Sequence, residues 1–271
     1  MAAIRPVALV TGASSGIGKV AAHALVDAGF DVVGTSRNAG VNTQRDGVTF
    51  LDLDVTSGDS VANVVERVMR QYGRLDVVVN NAGVGASGAA EENSVGQVRN
   101  LFDINVFGVI RVTKAVLPLM RRQGSGRIIN VSSIFGFIPA PFMAVYSASK
   151  HAIEGYSESV DHEVREYGIR VLLVEPAGTR TGFDDNTTPP DSPLDVYAQR
   201  RQTAGQVVAD AVNEGDDPTL VAKAIVAAAT SPTPKLRYPA SPRARRLSTL
   251  RRIVPARTFD GQLRKFNKLA G

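Results

Sequence analysis

The chain has 271 residues, 44% of them hydrophobic, and contains no cysteine. A chain of this length buries roughly three-quarters of its unfolded surface, so a large apolar core is available, while disulfides and thiolate metal sites are excluded. The formal net charge of +5 is uneven: residues 235–271 carry eleven Lys and Arg against the single acid Asp260, and the rest of the chain carries twenty bases against twenty-five acids.

The first β-branched run, Val7-Ala8-Leu9-Val10, comes so early that no basic, apolar and cleavage segments of a leader are expected before it. Further short apolar runs follow at residues 31–34, 48–51, 75–79, 127–131 and 171–174, each closed by a turn signal. Runs apolar on both faces predict strands covered by helices on both sides. Helical periodicity fills residues 16–28, 58–72, 95–122 and 146–167, with Gly29 and Gly168 just beyond two of them as stops. A later helix over 218–229 precedes a seventh strand candidate at 235–238. Strand alternating with helix predicts an α/β fold: one domain over residues 1–240, with a doubly wound parallel sheet of about seven strands and helices on both faces. Residues 182–217 break the rhythm with Asp184-Asp185-Asn186, Pro189-Pro190 and Pro193, and an insertion of this kind predicts a substrate lid. Residues 241–271 form a basic C-terminal extension. No apolar run approaches the ~18 residues of a membrane span, and a cytoplasmic protein is expected.

Between the first strand and the first helix stands TGASSGIG, residues 11–18. Gly12, Gly16 and Gly18 let the main chain approach a ligand without a Cβ in the way. The helix N-terminus behind them offers free N–H groups and a positive dipole end to a pyrophosphate. Cofactor choice is read at the end of the second strand, where an acid selects NAD and an arginine accommodates the extra phosphate of NADP. The chain has Ser36 at the acid position and Arg37 after it, so NADP is expected, with NAD as the alternative.

Tyr146 and Lys150 lie four residues apart on one predicted helix and so share a face. A free tyrosine titrates near ~10, too high for acid–base work at neutral pH, and a neighbouring ammonium is expected to lower it. The hydroxyl of Ser133 can hydrogen-bond a substrate oxygen while charge develops on it. Between serine and tyrosine, residues 134–143 carry no charge and suit an apolar substrate wall. His23, His151 and His162 are given no role.

Taken in order, TGASSGIG (11–18), DVT (54–56), NNAG (80–83), NVFG (105–108), VSS (131–133), YSASK (146–150) and PAGTRT (176–181) resemble the short-chain dehydrogenase/reductase family over about residues 5–240. The texture is more similar to members acting on steroids, retinoids or other lipophilic carbonyls. The resemblance implies a Rossmann-like fold and a catalytic tetrad of Asn105, Ser133, Tyr146 and Lys150. Tyr146 would be the general acid–base, Lys150 would lower its pKa and hold the nicotinamide ribose, Ser133 would orient the substrate oxygen, and Asn105 would anchor a water leading to Lys150. It also implies a cofactor site formed by Gly12, Ser14, Ser15, Gly16, Ile17, Gly18, Arg37, Asp54, Val55, Asn81, Ala82, Gly83, Tyr146, Lys150, Pro176, Gly178, Thr179 and Thr181. One departure is Ala177 between Pro176 and Gly178, where the family commonly has Pro-Gly; a local adjustment is expected.

The implied activity is interconversion of a ketone or aldehyde and an alcohol. A cofactor-sensing regulatory protein of the same fold, without turnover, is the alternative. Pairing into a homodimer or homotetramer through the helices at 95–122 and 146–167 is implied as well. The tail interleaves arginines with Leu247, Leu250, Ile253 and Val254. It suits peripheral contact with an anionic membrane or packing on its own domain; no motif for specific nucleic-acid reading accompanies it.

Overall fold

The computed structural model describes residues 5–39 and 43–269. The chain runs β1 (Val7–Val10), α1 (Gly16–Asp27), β2 (Asp31–Ser36), β3 (Thr43–Arg45), β4 (Val48–Asp52), α2 (Gly58–Tyr72), β5 (Val77–Asn80), β6 (Gly85–Ala86) and α3 (Val95–Phe102). It continues through a π-helical turn (Asp103–Phe107), α4 (Gly108–Gln123), β7 (Gly126–Val131), α5 (Ala144–Val164), β8 (Ile169–Glu175) and β9 (Thr187–Thr188), then α6 (Ala198–Asn213), α7 (Pro218–Thr230), β10 (Arg237–Pro239), α8 (Pro242–Ile253) and α9 (Ala256–Phe266). The main sheet has the order β10-β8-β7-β5-β1-β2-β4-β3. Seven of its strands are parallel, and β3 pairs antiparallel with β4 at the edge. Strand order reverses between β1 and β5, and such a switch point opens a crevice at the carboxyl ends of the strands.

Helices cover both faces, which is why β1 and β5 are buried along their whole length. On one face Ala21, Ala22 and Leu25 of α1 meet Val221, Ala222 and Ile225 of α7. On the other, Val61, Val64 and Val68 of α2, Val112 and Val116 of α4 and Val160 of α5 form a second layer. Beneath α5 a buried polar chain runs from Asn80 Nδ2 to Asn130 Oδ1 (2.8 Å) and from Asn130 Nδ2 to Ser157 Oγ (2.8 Å), locking the helix in register with β5 and β7.

Two departures from the sequence expectation have clear causes. The short β3 is joined to β4 by Asp46-Gly47, both at positive φ (48° and 80°), a two-residue hairpin turn whose Asp-Gly pair marks it in the sequence. The helix expected over 95–122 is interrupted by the π turn, whose wider pitch re-aims the side chains it carries. Among the described residues no helix is long and apolar enough to cross a membrane.

The far end of α5 is fastened by Asp161, a fully buried carboxylate. It accepts from Arg170 Nε at 2.8 Å and Val171 N at 2.9 Å, and it also pairs with Arg165. Burial alone would raise this carboxyl, but the two guanidinium groups and the Val171 N–H outweigh it and hold it below its ordinary value. Its stabilising contribution is therefore complete above the ordinary 3.8 and is lost as pH falls through the lower folded value. Asp161→Ala leaves two partly solvated guanidinium groups without their acceptor and is expected to cost about 3 kcal/mol in denaturant unfolding at neutral pH, shrinking in strong acid. A loss under about 0.5 kcal/mol, the range of ordinary surface changes, would contradict this account.

Candidate active site

At the end of β1 the chain turns through Gly12 (φ 65°) into α1, and Gly16 is also left-handed (φ 52°). Gly18 is the most confined residue of the turn. A Cβ there would stand 2.2 Å from Gly12 O and 2.4 Å from Asn81 Nδ2. Asn81 Nδ2 donates to Thr11 O (3.0 Å) and Gly12 O (3.1 Å), while Thr11 Oγ1 accepts from Asn81 N and Ala82 N, each at 3.0 Å. The turns after β1 and β5 are thus stitched into one platform. Ser15, the N-cap of α1, makes no side-chain cap and the first turn has no acid. Main-chain donors there remain available to an anion in front of them.

A cleft of about 1630 Å³ lies over this platform. Gly12, Ser14, Ser15, Gly16 and Ile17 line it, as do Asn81, Ala82 and Gly83, and Pro176, Gly178, Thr179 and Thr181 face them from the loop after β8. Gly18 lies beneath the lining and acts through packing. At one end stand Ser36, Arg37, Asp54 and Val55. Arg37 is exposed. Asp54 is held below its ordinary value chiefly by the Thr56 N–H and hydroxyl, with Arg37 adding to the effect.

Ser133, Tyr146 and Lys150 line the cleft deeper in. Lys150 Nζ lies 5.7 Å from the Tyr146 ring centre and donates to Val131 O at 2.9 Å. Burial pushes the Tyr146 phenol above its ordinary value, and the Ser133 hydroxyl opposes that. The expected lowering by Lys150 is not what sets this direction: loss of water around the phenol outweighs the Ser133 hydrogen bond. Burial likewise brings Lys150 down to about 8, against the pull of Glu154 one turn further along α5. Glu154 itself is raised to about 7 by burial and by the neighbouring Glu175. Arg237 of β10 closes on Glu154, Glu158 and Glu175 together.

Asn105 is 2% exposed and stands outside the cleft lining. The π turn directs its side chain at the loop after β5: Oδ1 accepts from Val84 N at 2.9 Å, and Nδ2 donates to Val84 O at 2.8 Å and Ser149 Oγ at 3.3 Å. With these bonds made, its side chain braces the floor of the cleft.

The walls come from three later segments. Phe135 and Phe183 contact Tyr146 edge-on and tilted, with ring centres 6.3 and 5.7 Å away. Phe142, also lining the cleft, is held at φ 60°, a strained value for an aromatic residue, by Gly88 N donating to its carbonyl at 2.9 Å. Residues 182–217 are tied to the rest of the fold: β9 pairs with β6, and fully buried Glu92 accepts from Leu194 N at 2.8 Å and pairs with Arg201 of α6. The basic tail folds back as α8 and α9, adding Leu247, Leu250, Phe259 and Leu263 to the lining. Arg251 Nε donates to Phe137 O at 3.1 Å, joining α8 to the apolar segment.

A family model described as short chain dehydrogenase matches residues 6–191. The chain belongs to the short-chain dehydrogenase family. A 3-ketodihydrosphingosine reductase of Bacteroides thetaiotaomicron is 47% identical over 178 residues, which span 66% of this chain and 65% of that protein. The crystal structure of a short-chain dehydrogenase from Streptomyces avermitilis superposes with a TM-score of 0.84 at 36% identity, over 99% of this chain and 98% of that one. A short-chain dehydrogenase/reductase from Burkholderia phymatum, in complex with NAD, has a TM-score of 0.79 at 27% identity, over 96% and 95% of the two chains.

As a member of this family the protein is an oxidoreductase of carbonyl and alcohol groups that uses a nicotinamide cofactor. The uncapped start of α1, left-handed Gly12 and Gly16, and Gly18, where a Cβ would crowd the turn, fit the pyrophosphate of such a cofactor. An unfolded lysine titrates near 10.5 and Lys150 near 8, so the unfolded chain binds more protons between those values and stability rises with pH across them. At pH 7 the buried ammonium weighs against the fold. Lys150→Met is expected to raise the melting temperature at pH 7 and to lose that gain above the unfolded value of 10.5. Equal gains at both pH values would show that the lysine's charge is not what destabilises.

Proposed function

We propose that the protein is an NADP-dependent oxidoreductase that interconverts a ketone or aldehyde and an alcohol on an apolar substrate, with Tyr146 as general acid–base. The observation that carries this reading is the grouping of Ser133, Tyr146 and Lys150 on one wall of a cleft whose facing surface is apolar. When bound, the nicotinamide gives or accepts the hydride. Tyr146 Oη hands its proton to the substrate oxygen in reduction; burial makes the phenol a weaker acid, so the transfer depends on the charged and hydrogen-bonding groups beside it. Ser133 Oγ donates to the same oxygen as charge gathers there. The Lys150 ammonium offsets the phenolate left behind and reaches the nicotinamide ribose. Asn105 contributes by holding the Val84 loop, which leaves its main chain as the route to a water leading to Lys150.

Arg37 receives the adenosine phosphate of NADP, supported by its exposure at the cleft end and by the absence of an acid at Ser36. Asp54 and Val55 border the adenine, and Thr179 and Thr181, with Pro176 and Gly178, border the nicotinamide and pyrophosphate. Half-exposed Phe107, on the π turn before α4, supports pairing into a homodimer or homotetramer. The outward arginines of α8 and α9 support peripheral contact with an anionic membrane, and the lack of cysteine suits a cytoplasmic setting.

Titration with NADPH and NADH, followed by a panel of steroid and long-chain carbonyls, tests the reading. Tyr146→Phe is expected to bind NADPH as the parent does and to lose about 10²–10⁴-fold in turnover, the usual worth of a general acid. Turnover persisting in that variant would remove Tyr146 from its role. Arg37→Ser is expected to weaken NADPH by about ten- to a hundredfold, one charge-assisted contact, and to leave NADH unchanged. Preference of the parent protein for NADH would overturn the assignment of NADP.

A further inference from the structure

Helix α8 presents Arg243, Arg246, Leu247 and Leu250 to the cleft, a spacing of three and four residues that makes one continuous stripe. The stripe is divided. Its first turn is cationic and the remainder aliphatic, and Phe259 and Leu263 of α9 extend the aliphatic part. Arg243 is half-buried and Arg246 exposed, and among the described residues neither side chain makes an ion pair or hydrogen bond. Three other arginines are engaged: Arg201 closes on Glu92, Arg237 on three carboxylates, and Arg251 on Phe137 O, while Arg245 on the outer face of α8 is exposed. The carboxylates lining the cleft are Asp54 and Asp103; the first accepts from the Thr56 N–H and hydroxyl, and the second is paired with Arg111 at 2.5 Å. The first turn of α8 also lacks an acid, so Arg243 stands at the positive end of its helix without an acidic neighbour on that turn.

We infer that the substrate is an amphipathic carbonyl or alcohol bearing an anionic group, a carboxylate or phosphate, which Arg243 and Arg246 hold while its hydrocarbon lies along Leu247, Leu250, Phe259 and Leu263. The inference rests on the oxidoreductase reading of this cleft. Guanidinium groups match both anions with paired N–H donors. The helix rise separates Arg243 from Leu250 by ~10 Å, which gives the polar and apolar ends of one molecule distinct places on the same wall. Starting directly after β10, whose Pro239 is in register with Glu175 before Pro176, α8 leaves the sheet at the same carboxyl edge that carries the reaction centre.

The test is calorimetric titration of the NADPH-loaded protein with dodecanoate, dodecyl phosphate and dodecanol, all below their aggregation limits. The two anions are expected to bind at least about tenfold more tightly than the alcohol. R243Q/R246Q should erase that difference, leave dodecanol binding unchanged, and keep the parent melting curve. Equal binding of anion and alcohol by the parent protein, or a preference that survives in the double variant, overturns the inference. Flotation with phosphatidylglycerol and with phosphatidylcholine vesicles separates a lipid surface from a bound amphiphile. If the double variant loses the anionic vesicles but keeps its preference for dodecanoate, the arginines serve the membrane and the inference falls. Failure of anion selectivity with carbonyl turnover intact overturns this site alone; absence of turnover with selectivity retained overturns the function proposed above.

Discussion

Residue 18 has room for a hydrogen and for nothing larger, and much of the architecture refers to that contact. Because Gly18 lies against Gly12 O, α1 can start close enough to β1 to aim its N-terminus into the crevice. Asn81 reaches the same carbonyl from the end of β5, so the two strands flanking the switch point share one fixed turn. The floor beyond it inherits that position: Ala82, Gly83 and Val84 follow Asn81 in turn, and Val84 is where Asn105 fastens the π turn. The glycine turn and the Asn105 brace are thus parts of one hydrogen-bonded unit.

Helix α5 supplies the second fixed reference. It carries Tyr146 and Lys150 at one end, Glu154, Ser157 and Glu158 in the middle, and Asp161 near the other end. Ser157 ties it to the sheet through Asn130, Glu154 and Glu158 hold Arg237 of β10, and Asp161 holds Arg170 and the Val171 N–H of β8. Burial, and after it the charge of neighbouring Glu175, displaces Glu154 toward neutrality, and burial also outweighs the pull of Glu154 on Lys150.

The alternation of strands and helices was readable because each run has its own period and each helix its own stop. The glycine turn and the Tyr-Lys pair were readable because local spacing decides which side chains share a face. What escaped depended on non-local packing. The π turn leaves no mark in an otherwise continuous amphipathic pattern over 95–122, since it is the reach of Asn105 for Val84 that it serves. The rise of the Tyr146 phenol comes from removal of water around the ring, which a count of neighbouring charges in the sequence does not register. The Asp46-Gly47 pair does carry a local hairpin signal, between longer and more apolar runs. The tail could be read as basic and partly apolar; that its apolar stripe lines the cleft depends on where β10 ends.

The cleft therefore has walls of unequal firmness. Tyr146 and Lys150 belong to a helix bonded to three strands, whereas α9, which completes the apolar side, has no buried residue. Segments with few buried contacts open locally at much lower free energy than the core they rest on. Local opening of this side would leave Tyr146 and Lys150 in place, so under the proposed function a substrate would enter and leave without disturbing them. The same division lets sequence change accumulate on that side, altering which molecules are admitted, without altering the reaction performed on them.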